Sequence, residues 1–243
     1  MSRTAMPAES SAERAFTVPA AARAAMVVIG WIPFAHLLLV AAPLGLAIAR
    51  RDGRLVLLAV ALLYLLPPLA VRALLLARPM PIGRVELASG DYLRWWTTAQ
   101  WQVIFARLPW LEELLRLVPG LYSAWLRLWG ARVGSLVYWS PGVAILDRPL
   151  VAIGDRVAFG MGVRINPHVI APLSSGRGAL FVAPVSIGRD ALVGGYSLLL
   201  AGCEIADGEM TPPLRTIHPY SRLAGGRRSR RADAPDLDDA DAS

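Results

Sequence analysis

The sequence comprises 243 residues with 25 basic and 18 acidic side chains, which gives a formal net charge of +7. The apolar fraction of 55% and the mean hydropathy of +0.47 exceed those of ordinary soluble globular proteins. All the basic residues are arginines, and they border apolar segments, a pattern that favours an anionic membrane surface over nucleic acid as a partner. The single cysteine, Cys203, excludes an internal disulfide and is predicted to be a small core residue.

Two long apolar segments, 24–49 and 55–71, follow an N-terminal stretch that is rich in Ala, Ser and Glu. We predict that this stretch, 1–22, is disordered. A helix that spans a bilayer needs about 20 apolar residues, so we predict that 23–78 forms a two-helix membrane hairpin. The length of the apolar stretch argues against a secretory signal peptide. Four prolines interrupt the segments: Pro33, Pro43, Pro67 and Pro68. A half-inserted or interfacial hairpin is therefore the alternative.

The arginines around the hairpin indicate its orientation. The polar turn 50–54 carries three of them, whereas the flanks of the two segments carry seven. Arginines are enriched in cytoplasmic loops, so the excess on the flanks predicts that both termini lie in the cytoplasm. The charge of the turn itself argues the other way.

The next block, 79–130, is predicted to form short amphipathic helices that lie on the membrane. Leucines recur in it at helical spacing, and tryptophan favours the membrane–water interface. The alternative is a helical collar that packs on the following domain. The block holds six tryptophans: Trp95, Trp96, Trp101, Trp110, Trp125 and Trp129.

A six-residue period runs through 131–210. Large apolar side chains recur at this spacing in three runs: Val133, Trp139 and Ile145; Ile153, Phe159 and Ile165; and Ile187, Val193, Leu199 and Ile205. The next residue is often glycine, which suits tight corners. An antiparallel sheet would show a period of two, whereas a period of six predicts a parallel β-helix whose stacked coils bury one continuous core.

Breaks in the six-residue period mark departures from the coils. A two-residue slip occurs near 147–149, and the stretch 171–183, which is rich in Pro, Ser and Gly, is predicted to be a loop that leaves the solenoid. The segment 211–243 is predicted to be a C-terminal extension. From Arg222 onwards it is expected to form a disordered tail, because it lacks core-forming residues.

The hexads 153–158 (Ile-Gly-Asp-Arg-Val-Ala) and 187–192 (Ile-Gly-Arg-Asp-Ala-Leu) resemble those of the hexapeptide-repeat acyltransferases. The preceding stretch, 119–134, resembles the lead-in of membrane-associated bacterial members. The resemblance implies a mainly β fold, a left-handed parallel β-helix with three hexads per coil, here preceded by α-helices. It also implies a homotrimer that uses acyl-CoA, with acetyl-CoA favoured, or an acyl carrier protein as donor.

In that family a histidine near a coil edge acts as general base, and imidazole suits this role because its unperturbed pKa is near neutrality. Of the three histidines, His168 is the best match, because it lies in the repeat region beside the predicted loop and closely follows Asn166, a candidate substrate contact. His36 is expected to be packed in the first apolar helix, and His218 lies outside the repeat pattern. Three glycines are candidates to line a cofactor groove: Gly194, Gly195 and Gly202. The alternative is that they are corner residues of the coils.

The sequence thus predicts a membrane-bound acyltransferase that moves an acyl group, through His168, to the oxygen of a lipid-linked or amphiphilic acceptor. A three-histidine zinc site is disfavoured, because only His168 and His218 lie outside the membrane segment, and no metal is expected. The alternative function is a non-catalytic β-helix that scaffolds a membrane enzyme complex. The two differ in their requirements, since a scaffold needs neither CoA nor His168.

Overall fold

In a computed structural model, the structure describes residues 18–87, 89–172, 178–232 and 234. Three helices open the described chain: α1 (Ala20–Gly30), α2 (Ile32–Arg50) and α3 (Gly53–Ala77). The first begins inside the stretch that was expected to be disordered, whose residues 1–17 lie outside the described part.

Helices α1 and α2 follow each other with only Trp31 between them, and α3 packs against α2 as a hairpin. The two segments, Ala20–Arg50 and Gly53–Ala77, are long and apolar enough to cross a membrane, each with a mean hydropathy of 2.2. At the turn the Asp52 carboxylate accepts a hydrogen bond from the Arg54 backbone N–H and caps α3. The prolines within the segments do not end the helices. Pro33 stands in the first turn of α2, where its missing N–H costs little, and the other three lie inside α2 and α3.

Three further helices form a collar between the hairpin and the β region: α4 (Gly90–Arg107), α5 (Trp110–Arg116) and α6 (Leu121–Leu128). Trp95, Trp125 and Trp129 are buried within this layer, whereas Trp110 is 56% exposed. The interfacial role predicted for this block therefore does not apply to the three buried tryptophans. They pack in the protein core, as the alternative of a collar requires, because α6 and α4 lie against the first coil.

The β region is a stack of coils, each built from three short strands on three faces. The first face contains β2 (Arg132–Val133), β5 (Val151–Ile153), β10 (Val185–Ile187), β13 (Glu204–Ile205) and β16 (Ser221–Ala224). The second contains β3 (Tyr138–Trp139), β6 (Ala158–Phe159), β11 (Leu192–Val193) and β14 (Met210–Thr211). The third contains β4 (Ala144–Ile145), β7 (Arg164–Asn166), β12 (Leu198–Leu200) and β15 (Thr216–Ile217). Strands of successive coils pair in parallel on every face.

The hexad positions stack in register, as the period of six predicted. Val133 pairs with Ile153, which pairs with Ile187, and the other two faces repeat this arrangement. All the predicted inward positions are buried except Trp139, which is partly buried against α6. One apolar core therefore runs through the stack and continues into the helical collar and the hairpin, since Trp125 of α6 and Val71 of α3 belong to the same cluster.

Corner glycines let the coils approach each other. A Cβ added at Gly154 would lie 2.6 Å from the backbone nitrogen of Arg189 in the next coil, and one added at Gly194 would clash with the backbone of Pro212. A backbone atom cannot yield as a flexible side chain can, so these positions accept only glycine at this coil spacing.

The excursion between coils is more regular than the predicted loop. It forms an antiparallel pair of strands, β8 (His168–Pro172) and β9 (Gly178–Val182). Of the predicted loop 171–183, residues 173–177 lie outside the described part. Strand β1 (Gly83–Glu86), from the linker between α3 and α4, pairs antiparallel with β9. The resulting three-stranded sheet joins the collar to the stack.

The coils also continue beyond residue 210, where the predicted repeat region ended. Strands β14 to β16 extend the three faces, and β17 (Arg227–Arg230) folds back antiparallel on β16. The tail predicted to be disordered from Arg222 is therefore ordered as a hairpin as far as Arg230, because Leu223 is buried as a further inward position and Arg222 pairs with Glu204.

Candidate functional site

A histidine and a carboxylate meet at the corner between the third and first faces. His168 is the first residue of β8, and Asp147 occupies the same corner one coil earlier. The Asp147 Oδ2 atom and the His168 Nδ1 atom form a hydrogen bond. Asp147 is buried, at 3% exposure, whereas 23% of the His168 side chain is exposed. One end of the imidazole is therefore fixed in the protein and the other can meet a ligand.

Asp147 is held by its backbone and by a second hydrogen bond. Its φ of 42° lies in the left-handed region, which is uncommon for a residue with a side chain. The indole N–H of Trp95 donates to the other carboxylate oxygen, Oδ1, at 3.0 Å. The Trp95 ring also meets the His168 ring edge to face, with the ring centroids 4.9 Å apart.

This geometry sets the tautomer of a neutral His168. A carboxylate only accepts hydrogen bonds, so Nδ1 carries the proton and Nε2 keeps its lone pair. Nε2 has no hydrogen-bond partner among the described residues. Such a pair is chemically able to act as a general base, in which Nε2 takes a proton and the carboxylate stabilises the imidazolium that forms.

Beneath the Asp147–His168 pair lies a buried ionic cluster. Arg148, which is 1% exposed, forms an ion pair with Glu112 of α5, and its Nη1 donates to Gln102 Oε1 at 3.0 Å. The Tyr122 hydroxyl donates to Glu112 Oε2 at 2.6 Å. Burial, followed by the charge of Glu112, raises the pKa of Tyr122, so that hydroxyl remains a donor. Arg116 completes the cluster through Glu112. These contacts join the collar to the corner that carries Asp147.

Asn166 lies near this cluster. It ends β7, is half-buried, and lines a cavity of about 180 Å³ together with Arg148 and Glu112. The cavity lies between the junction of α4 and α5 and the third face of the stack.

The three predicted groove glycines lie in later coils. Gly194 and Gly195 stand at the corner between the second and third faces, where the Gly194 N–H donates to Thr211 Oγ1 at 2.9 Å. Gly202 shares the corner of the Asp147–His168 pair, one coil on. It has a φ of +72°, and an added Cβ would lie 2.6 Å from the Tyr220 ring. The close packing of successive coils thus explains why positions 194 and 202 are glycine.

The other two histidines lie away from this corner. His36 is buried, and its Nε2 is 3.0 Å from the Leu62 carbonyl oxygen across the helix hairpin, so it is packed as expected. His218 is exposed, in the turn after β15. Within the described ranges, no group of three or more His, Cys, Asp or Glu side chains is placed to hold a metal ion. Cys203 is a buried core residue, and burial raises the pKa of its thiol to about 12.

Sequence reasoning missed Asp147 and Trp95. Asp147 lies at the two-residue slip of the period, to which the sequence pattern assigns no function, and Trp95 belongs to the tryptophans predicted to be interfacial. One signal was available: 147 and 168 both follow the third hexad of a coil, so equivalent corners bring them together.

No family model matches the sequence. A segment of 75 residues is 40% identical to nodulation protein L of Rhizobium leguminosarum bv. viciae. The aligned segment covers 29% of this chain and 38% of that protein. The chain thus spans well under half the length of this curated relative.

Solved structures to which parts of the chain are similar include acetyltransferases. A hexapeptide-repeat acetyltransferase from Vibrio cholerae O1 biovar eltor, complexed with acetyl coenzyme A, is 19% identical, with a TM-score of 0.34 and coverage of 41% of this chain and 58% of that one. A maltose O-acetyltransferase from Clostridium difficile 630 is 18% identical, with a TM-score of 0.33 and coverage of 52% and 84%.

Proposed function

We propose that the protein is an acyltransferase that moves an acyl group, with acetyl favoured, from acyl-CoA to a hydroxyl of a lipid-linked or amphiphilic acceptor. The observation that carries this proposal is the hydrogen-bonded pair of Asp147 and His168 at a coil corner, with Nε2 of His168 free to meet a substrate. The hexads 153–158 and 187–192, which resemble those of the hexapeptide-repeat acyltransferases, support it.

In the proposed reaction, His168 Nε2 takes the proton of the acceptor hydroxyl as its oxygen attacks the thioester carbonyl. A tetrahedral intermediate forms and collapses, the carbon–sulfur bond breaks, and the imidazolium returns the proton to the departing CoA sulfur. Asp147 stabilises the imidazolium between the two steps and keeps the ring oriented. No metal takes part in this scheme.

The coil stack is proposed to be a left-handed β-helix that assembles as a homotrimer. Its outer second face supports an interface between copies, since Tyr138, Leu192 and Met210 stand in one row there and are 65%, 40% and 68% exposed. Gly194, Gly195 and Gly202 are proposed to line the donor groove, and Asn166 is proposed to contact substrate beside the base.

The helix hairpin is proposed to anchor the protein in the bacterial inner membrane, with the coil stack on the cytoplasmic face, where acyl-CoA and acyl carrier protein are found. Large apolar side chains on both helices face outward, among them Ile48 at 82% and Leu57 at 71% exposure. On α5 and just after it, Trp110 and Leu117 are also exposed, at 56% and 76%. Lipid is the partner that removes such surface from water.

Single cysteines introduced at Arg54 and at Arg228 are expected to react from opposite sides of the membrane. Arg54 lies at the hairpin turn and Arg228 in β17. A membrane-impermeant maleimide added to intact spheroplasts is expected to label Arg54→Cys, and to label Arg228→Cys only in inverted vesicles. The unmodified protein is the control, because Cys203 is buried and burial raises the pKa of its thiol to about 12. Labelling of Arg54→Cys from the cytoplasmic side alone would mean that the hairpin does not cross.

The acyl-CoA proposal is tested by calorimetry on the detergent-solubilised full chain with acetyl-CoA and longer acyl-CoAs. Saturable binding is expected for the wild type, for His168→Ala and for the exposed control His218→Ala, because the substitution removes the base and leaves the donor groove. Binding of no acyl-CoA by the wild type contradicts the CoA donor. If, in addition, His168→Ala retains the full function of the protein, the result favours the non-catalytic scaffold.

A further inference from the structure

The corner that carries Asp147 is held by one helix of the collar. Trp95 and Gln102 lie seven residues apart on α4, two helical turns, and so share a face. Trp95 donates to the Asp147 carboxylate, and Gln102 Oε1 accepts from the Arg148 backbone N–H at 3.0 Å as well as from its guanidinium. One helix face thus contacts both the side chain of Asp147 and the peptide that follows it.

Arg148 cannot shift without breaking this corner. Its guanidinium carbon lies 5.8, 5.4 and 5.3 Å from the ring centroids of Phe105, Trp125 and Trp129, and Glu112 neutralises its charge. Breaking a buried ion pair is costly, so these contacts hold the Arg148 side chain in place. The left-handed φ of Asp147 persists because its neighbour is fixed.

Two other tryptophans of α4 contact the helix hairpin. Trp96 donates its indole N–H to the Met26 carbonyl oxygen at 3.3 Å, and the Trp101 ring lies 6.1 Å from the His36 ring. Adjacent tryptophans therefore point to different partners, Trp95 to the carboxylate and Trp96 to α1. Helix α4 lies between the hairpin and the Asp147–His168 pair.

We propose that Trp95 is a positioning residue, which acts through Asp147 to hold His168 in the tautomer that leaves Nε2 free. The collar then belongs to the catalytic unit, and the coil stack alone does not hold the pair. This inference rests on the proposed function of His168 as base. It goes beyond it by giving a role to a helix outside the repeat.

The physical reason lies in the two oxygens of Asp147. Oδ1 is buried and takes the Trp95 N–H, while Oδ2 faces His168. Without the indole donor, Oδ1 loses its partner in a site that water scarcely reaches, and the carboxylate gains by turning toward another donor. The Nδ1–H of His168 then loses its acceptor, and the ring is free to adopt the other tautomer.

The test is Trp95→Phe in the full chain in detergent micelles, with Trp96→Phe as the matched control. Histidine labelled with ¹⁵N in its ring gives only three sets of signals, since the chain has three histidines, and His168→Ala identifies the set of His168. The wild type and Trp96→Phe are expected to show the Nδ1–H tautomer for neutral His168. Trp95→Phe is expected to show a mixture of both tautomers. With any acceptor that supports turnover, kcat is expected to fall about 10-fold in Trp95→Phe, with KM for acetyl-CoA unchanged.

An unchanged His168 tautomer in Trp95→Phe overturns the inference, whether or not the protein transfers acyl groups. Conversely, a wild type that binds no acyl-CoA while Trp95→Phe still shifts the tautomer refutes the proposed function and leaves the positioning role standing. Should Trp95→Phe not fold, Gln102→Met removes the acceptor of the Arg148 N–H from the same helix face. It is expected to shift the tautomer in the same direction, and no shift there counts against the inference.

Discussion

Replacement of His168 by alanine is expected to lower the rate of acetyl transfer by about 10²–10⁴-fold, the usual contribution of a general base. The hydroxyl of the acceptor is a weak nucleophile until its proton is removed, and Nε2 of His168, whose Nδ1 is held by Asp147, is the proposed base. The measurement is release of the CoA thiol from acetyl-CoA by the solubilised protein, with bacterial lipid extract as the acceptor pool.

His218→Ala is the control for this substitution, because it removes an exposed imidazole from the turn after β15. It is expected to retain the wild-type rate. Equal rates for His168→Ala and wild type would remove the base from the mechanism. Equal losses in both histidine variants would point to a general effect on the fold, which thermal unfolding of the two proteins would reveal.

Asp147→Asn is expected to lower the same rate by about 10²–10⁴-fold, and to be at least as damaging as Asp147→Ala. The Trp95 N–H requires an oxygen, so it orients the asparagine with its carbonyl toward the indole and its amino group toward His168. An amino group donates to Nδ1, which places the ring proton on Nε2 and blocks the base. Alanine removes the support without imposing the wrong tautomer.

The control for this second substitution is Asp155→Asn, which neutralises an exposed carboxylate at another corner, where Asp155 accepts from Ser135. It is expected to leave the rate unchanged. Because Asp147 acts through His168, the double variant with His168→Ala is expected to be no slower than His168→Ala alone. A full rate in Asp147→Asn would contradict the proposed role of the carboxylate.

The coils were predictable because each hexad carries its own signal. A buried side chain at every sixth position, with glycine beside it, specifies a strand and a corner without reference to any distant residue. The runs that begin at Val133, Ile153 and Ile187 therefore stack as expected. The end of the repeat was less predictable, because Ile217 and Leu223 continue the inward positions among prolines and arginines that resemble a tail.

The partners of His168 were harder to predict, because they depend on contacts distant in sequence. Asp147 lies 21 residues before His168, and Trp95 a further 52 before Asp147. Neither stands in a local motif, and tryptophans in an apolar block suit a membrane surface as well as a core. Only the packing of α4 against the first coil distinguishes Trp95, which is buried, from the exposed Trp110.

The order of these contacts along the chain has a consequence for biosynthesis. The side chains against the His168 ring, Asp147 and Trp95, both precede it, and chains are made from the N-terminus. The hairpin therefore emerges first, α4 follows and packs on it, and the binding face for Asp147 and Arg148 exists before those residues leave the ribosome. The acid–base pair is completed only when β8 emerges. Under the proposed membrane anchoring, a nascent chain thus reaches its site of insertion before it carries the proposed base, His168.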